Sequence, residues 1–127
     1  MSDERLERGL KVTEKLFGRP SMLPVAEGDP ANAKEFARLI TEHCFADSWS
    51  RTDLDIKTKS LLTITIAATL GAESELKGHI RGALNLGITR EEIVAVCIHM
   101  LGYAGAPRSV SMYRCAKEVF AQMPAKK

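Results

Sequence analysis

Apolar residues recur along this chain with the spacing of helices, and the breaks between runs fall at glycine, proline and aspartate. A first helix is predicted from about Asp3 to Phe17, closed by Gly18. Pro20, Pro24, Gly28 and Pro30 mark a loop. A second helix runs from near Pro30 to about Ala46, with Phe36, Leu39, Ile40 and Cys44 at helical spacing. Asp53 or Asp55 opens a third, which Gly71 closes. Its stretch from Leu61 to Ile66 is rich in β-branched residues and has strand character. It nevertheless continues through Ala67-Ala68-Thr69-Leu70, too long for one strand, so a helix is expected. Apolar on most sides, this should be the central buried helix. A fourth spans about Ser74 to Leu86, with Leu76, Ile80, Ala83 and Leu84 as core stripe and Gly87 as stop. Thr89 and Glu92 form a capping-box signature ahead of Ile93, Val96, Cys97, Met100 and Leu101. After Gly102 and Gly105, a last helix runs from about Pro107 to Met123. With no hairpin signal, the expected fold class is all-α with six helices.

A chain of 127 residues with 45% hydrophobic and 27% charged positions is expected to form a single domain over residues 1–127. Such a domain has little room for an enclosed site, which favours clefts between subunits. Eighteen basic against 16 acidic residues leave a net charge of +2, which argues against a nucleic-acid or membrane partner. The start is charged and carries no signal peptide, and no apolar run is long enough to span a bilayer. A cytoplasmic protein is expected. The three cysteines, Cys44, Cys97 and Cys115, show no paired spacing and read as small buried hydrophobes.

Candidate chemistry begins with Glu75 and His79, one turn apart on one face of the fourth helix, beside its apolar stripe. A partly buried edge there can tune either group for acid–base work. By spacing alone an ordinary surface pair is the commoner case. His99 lies in an apolar stretch and reads as a satisfied core histidine, with Tyr103 as a partner on the same face. Trp49-Ser50-Arg51 falls between helices. Arg51 suits bidentate capture of a carboxylate, while Trp49 equally suits a core edge or subunit contact. His43 lies in a helix near Glu42, on a side expected to be exposed. No metal-ligand spacing is present, nor a Gly-x-Gly-x-x-Gly, a phosphate-binding loop or a nucleophile elbow, so no metal or nucleotide is expected.

Read in order, Trp49-Ser50-Arg51-x-x-Leu54-Asp55, Lys59-Ser60-Leu61-Leu62-Thr63, Glu75-Leu76-x-x-His79-Ile80, Ala83-Leu84-Asn85-x-Gly87-Ile88-Thr89-x-Glu91-Glu92-Ile93 and Tyr103-Ala104-Gly105-x-Pro107 make an ordered set. The chain thereby resembles the carboxymuconolactone decarboxylase family of the alkyl hydroperoxidase D-like superfamily. The resemblance implies a compact six-helix fold assembled as a homotrimer or homohexamer. It implies two chemistries. The redox branch needs a Cys-x-x-Cys where this chain has Ala72 and Glu75, which disfavours an antioxidant role. The other branch decarboxylates 4-carboxymuconolactone, a small anionic lactone, to 3-oxoadipate enol-lactone in aromatic-acid degradation, without a cofactor. On that branch His79 and Glu75 are catalytic. Arg51, with Trp49 and Ser50, binds substrate, and Glu42, His99 and Tyr103 are secondary candidates. A non-catalytic oligomeric binding protein of the same fold is the other alternative. This chain departs from the family's small residues after Pro107, where it carries Arg108 and Ser109.

Overall fold

The structure, a computed structural model, describes residues 3–123. Six α-helices account for nearly all of its regular structure, and no strand occurs among the described residues. The helices are α1 (Glu4–Phe17), α2 (Ala33–Ile40), α3 (Ile56–Leu70), α4 (Glu73–Asn85), α5 (Arg90–Met100) and α6 (Ala106–Gln122). Contacts divide the chain into two compact units, Met1–Ile56 and Lys57–Lys127.

In the first unit α2 does not stop near Ala46. It continues through Thr41–Trp49 as a π-helix, so Trp49 lies in its last turn and not in a loop. α1 packs along this segment. Gly9 makes the close approach possible, since a Cβ there would stand 2.5 Å from the Thr41 carbonyl oxygen and 2.9 Å from Thr41 Cγ2. Leu16, Ala37, Ala46 and Trp49 are buried. Phe45 bridges Phe17, edge-on at 6.3 Å, and Trp49, stacked at 6.3 Å. At the rim Arg5 grips Asp47 with two hydrogen bonds, one of 2.8 Å. Ser21 N–H donates to Thr13 Oγ1 at 2.9 Å and ties the loop after α1 back to it. The expected apolar stripe of the second helix is only partly covered. Ala37 is buried, whereas Phe36 and Leu39 are exposed, as is Cys44.

The second unit has one continuous apolar cluster. Ile64, Ala67 and Ala68 of α3 join Leu76, Ile80 and Ala83 of α4, Ile93, Cys97 and Met100 of α5, and Met112, Ala116 and Val119 of α6. Lys77 Nζ meets Glu118 at 2.7 Å and Arg81 Nη2 donates to Gln122 at 3.2 Å, so α4 and α6 run parallel in one register. The capping box forms as expected. Glu92 N–H donates to Thr89 Oγ1 at 3.0 Å, and Thr89 N–H donates to Glu92 Oε1 at 2.9 Å. Arg90 closes the far end of α6 by donating to the carbonyls of Phe120 (3.0 Å) and Met123 (2.7 Å). Buried Ser109 bonds the Cys97 carbonyl and links α6 to α5.

α3 is not buried all round. Its Ser60–Ile64–Ala67–Ala68 face is, but Leu62, Ile66 and Leu70, spaced four apart, are 47%, 58% and 72% exposed. Leu101, expected in the α5 stripe, is also exposed. A helix apolar on two sides needs two apolar partners, and the described residues supply one. No helix of the described residues is long and apolar enough to cross a membrane.

Candidate functional site

Glu75 and His79 both sit on α4, which places them one turn apart on a single face. Glu75 lies in the first turn, where a carboxylate faces the positive end of the helix dipole. His79 flanks Leu76, Ile80 and Ala83, all at most 2% exposed, and is itself half-buried. That apolar flank strips water from the imidazole and holds its pKa below the ordinary histidine value, while the nearby Glu75 carboxylate opposes the shift. Near neutral pH the ring is therefore neutral, and a second negative charge close to it favours taking up a proton.

α4 is preceded by the turn at Gly71, whose φ of +75° suits glycine. The Arg108 guanidinium lies across that turn, and a Cβ on Gly71 would stand 3.1 Å from Cζ and closer still to Nη1.

His99 is exposed, which corrects the expectation of a core histidine. α5 turns this position away from its Ile93–Cys97–Met100 face, a matter of helix phase that an apolar neighbourhood in sequence does not reveal. The expected partner is present, with the His99 and Tyr103 rings 5.1 Å apart and tilted at 40°. His99 lines a groove of about 340 Å³ formed by Leu61 and Thr65 of α3 and Glu92, Val96, His99 and Met100 of α5. Glu92 and Thr65 were not expected here. The 92–96–99 spacing on α5 is the signal that would have grouped them. Neither Glu75 nor His79 lines this groove.

In the first unit Trp49 is packed inward at 8% exposure. Ser50 Oγ donates to the Ala46 carbonyl at the end of the π-helix. Arg51 is exposed and already bridged by Asp53, with Nη2–Oδ2 at 2.8 Å and Nε at 3.2 Å from both carboxylate oxygens. Glu42 is held by Arg38 at 3.2 Å and Arg5 at 4.0 Å, so its carboxylate is already paired. Burial pushes the Cys97 and Cys115 thiols up and away from thiolate chemistry. Among the described residues, no group of three or more His, Cys, Asp or Glu side chains is placed to hold a metal ion.

The sequence profile of the Carboxymuconolactone decarboxylase family matches residues 34–118. A 4-carboxymuconolactone decarboxylase of Acinetobacter baylyi is 34% identical over 121 residues, 94% of this chain and 90% of that protein. A nitrosuccinic acid decarboxylase, npaB, of Metarhizium robertsii is 35% identical over 108 residues, 82% of this chain and 73% of that protein. The chain belongs to the carboxymuconolactone decarboxylase family, as an enzyme of the carboxy-lyase class.

Proposed function

We propose that the chain catalyses cofactor-independent loss of CO₂ from 4-carboxymuconolactone, or a closely related carboxylated lactone, giving 3-oxoadipate enol-lactone in the breakdown of aromatic compounds. The observation that carries this reading is the half-buried His79 with Glu75 one turn before it on α4. The two named relatives support it by the chemistry of their substrates. In each substrate the carbon losing CO₂ carries its own electron acceptor, a conjugated lactone in one and a nitro group in the other. Such substrates need no external electron sink.

In this mechanism the C–C bond to the leaving carboxylate breaks. Its electron pair passes into the conjugated lactone, CO₂ departs, and a proton is delivered to carbon. His79 is the proton donor. Bound anionic substrate, together with Glu75, raises the proton affinity that burial lowers in the free enzyme. The same imidazolium stabilises charge developing on the lactone oxygen. Arg51 engages a substrate carboxylate only in exchange for Asp53, and Trp49 acts from its packed position.

We also propose that the enzyme works as a homotrimer or homohexamer. The exposed Leu62–Ile66–Leu70 face of α3 is the kind of apolar surface that a second copy covers.

The test is spectrophotometric turnover of freshly generated 4-carboxymuconolactone with the product identified. His79→Gln is expected to abolish turnover while leaving helical circular dichroism intact. Turnover by His79→Gln at the unsubstituted rate overturns the role of the histidine. Light scattering of the wild type and Ile66→Glu reads the assembly, and a monomeric wild type removes that part of the proposal.

A further inference from the structure

We infer that Arg108 is the anchor for the carboxylate that the substrate keeps, and so a specificity-determining residue of the decarboxylation. This rests on the reading given under Proposed function.

The substrates named for the two relatives share more than an electron acceptor. Both contain a succinate unit in which one carboxylate leaves from the carbon bearing the acceptor. The other, on a neighbouring CH₂ arm, remains. A cation on the leaving carboxylate stabilises the ground state and slows the reaction, whereas one on the retained arm binds substrate and transition state alike. A decarboxylase of such a dianion therefore gains from a cation on the retained arm, and this chain carries one, Arg108, where the family it resembles has small residues.

Four cations of the second unit are already engaged. Lys77 pairs with Glu118, Arg81 with Gln122, Arg90 with the end of α6, and Lys117 lies over Tyr113. Among the described residues, Arg108 makes no hydrogen bond and no ion pair. The parallel register of α4 and α6 carries the start of α6 back past the start of α4 and sets Arg108 over Gly71. Because Gly71 has no side chain, the guanidinium fits against the turn that precedes α4. α4 begins two residues after Gly71, and the six steps from Glu73 to His79 rise on the order of 9 Å along its axis. The imidazole leans back toward the helix N-terminus and shortens the gap. That spacing suits a small carboxylated lactone whose retained arm meets Arg108 and whose ring, not its leaving carboxylate, meets His79. The contrast with Arg51 is informative, since that guanidinium is already bridged by Asp53.

The experiment is a cycle on the intact enzyme. Arg108→Gln and wild type are each assayed with 4-carboxymuconolactone and with the same lactone esterified on its acetate arm. Arg108→Gln is expected to raise KM about tenfold or more, with kcat changed less than about threefold, the signature of an interaction equal in ground and transition states. Esterification of the arm is expected to do the same to wild type, and the two together to do no more than either alone. Arg108→Lys should recover part of the loss, because a point charge replaces a bidentate fork. Arg114→Gln, elsewhere on α6, should match wild type. An unchanged KM in Arg108→Gln, or losses that simply multiply, overturns the anchor while turnover keeps the decarboxylase reading. Titration with succinate separates the reverse case. If wild type releases no CO₂ yet binds succinate about tenfold more tightly than Arg108→Gln, the reading fails and the anchor stands. If wild type neither turns over nor binds succinate, both fall.

Discussion

Two chemically identical substitutions, Gly9→Ala and Gly78→Ala, should shift stability in opposite directions. Both glycines lie inside helices, where alanine is favoured by about 1 kcal/mol. Nothing lies within 4 Å of a Cβ at Gly78, so that gain should appear almost undiminished, about 0.5–1 kcal/mol. At Gly9 a Cβ meets the Thr41 carbonyl oxygen at 2.5 Å, whereas ordinary contact begins at 3.4 Å. The obstacle is backbone, so α1 and the π-helical segment must part by most of an ångström. Overpacking of this kind costs about 1–3 kcal/mol. Separation also strains the Arg5–Asp47 contact and the Phe17–Phe45–Trp49 stack. Set against the helix gain, Gly9→Ala should be destabilising by roughly 1–2 kcal/mol. Urea denaturation followed by circular dichroism reads both variants. With an unchanged slope, the midpoint should fall by on the order of 1 M for Gly9→Ala and rise for Gly78→Ala. A Gly9→Ala protein as stable as Gly78→Ala would refute the close approach of α1 to Thr41.

Further expectations concern single side chains. The folded state disfavours protonation of His79, which the unfolded chain accepts at the ordinary value of 6.5, so stability is present above pH 6.5 and lost as pH falls toward the depressed folded value. His79→Gln should flatten that part of the stability profile, and parallel profiles in the two proteins would deny the burial of the imidazole. If His79 acts as a cation, kcat/KM should fall with rising pH at a lower pKa than kcat, because bound substrate raises the proton affinity. Identical limbs would count against that role. Buried Ser60 Oγ has no hydrogen-bond partner among the described residues, so Ser60→Ala should leave the unfolding free energy unchanged or raise it by up to about 1 kcal/mol. A clear loss in the same urea titration would mean that the hydroxyl is bonded. Thr89→Ala removes the cap of α5 and should cost about 1 kcal/mol by the same assay, with no loss indicating that the box contributes nothing.

The sequence by itself determined the helices and most of their ends, because these rest on local physics. Gly18, Gly71 and Gly87 stop α1, α3 and α4 where the chain needs positive φ, and the Thr89–Glu92 box opens α5. Helical phase likewise fixed Glu75 and His79 on one face, whatever surrounds them. The family was legible in the order of its motifs, and the profile over residues 34–118 agrees.

Tertiary structure decided what depends on neighbours remote in sequence. The passage from α2 into a π-helix, which draws Trp49 inward, accompanies the approach of α1 through Gly9. Burial of His99 could not be inferred from apolar neighbours along the chain, because the phase of α5 against α6 sets which side is covered. The same holds for α3, whose Leu62–Ile66–Leu70 side looks like core in sequence but is exposed among the described residues. Electrostatic availability was also invisible. Arg51 and Glu42 carry charge in any reading of the sequence, but only the fold sets Asp53, Arg38 and Arg5 against them and leaves Arg108 across Gly71. A charge is usable for binding only where its neighbours have not already neutralised it, and those neighbours are a property of the fold.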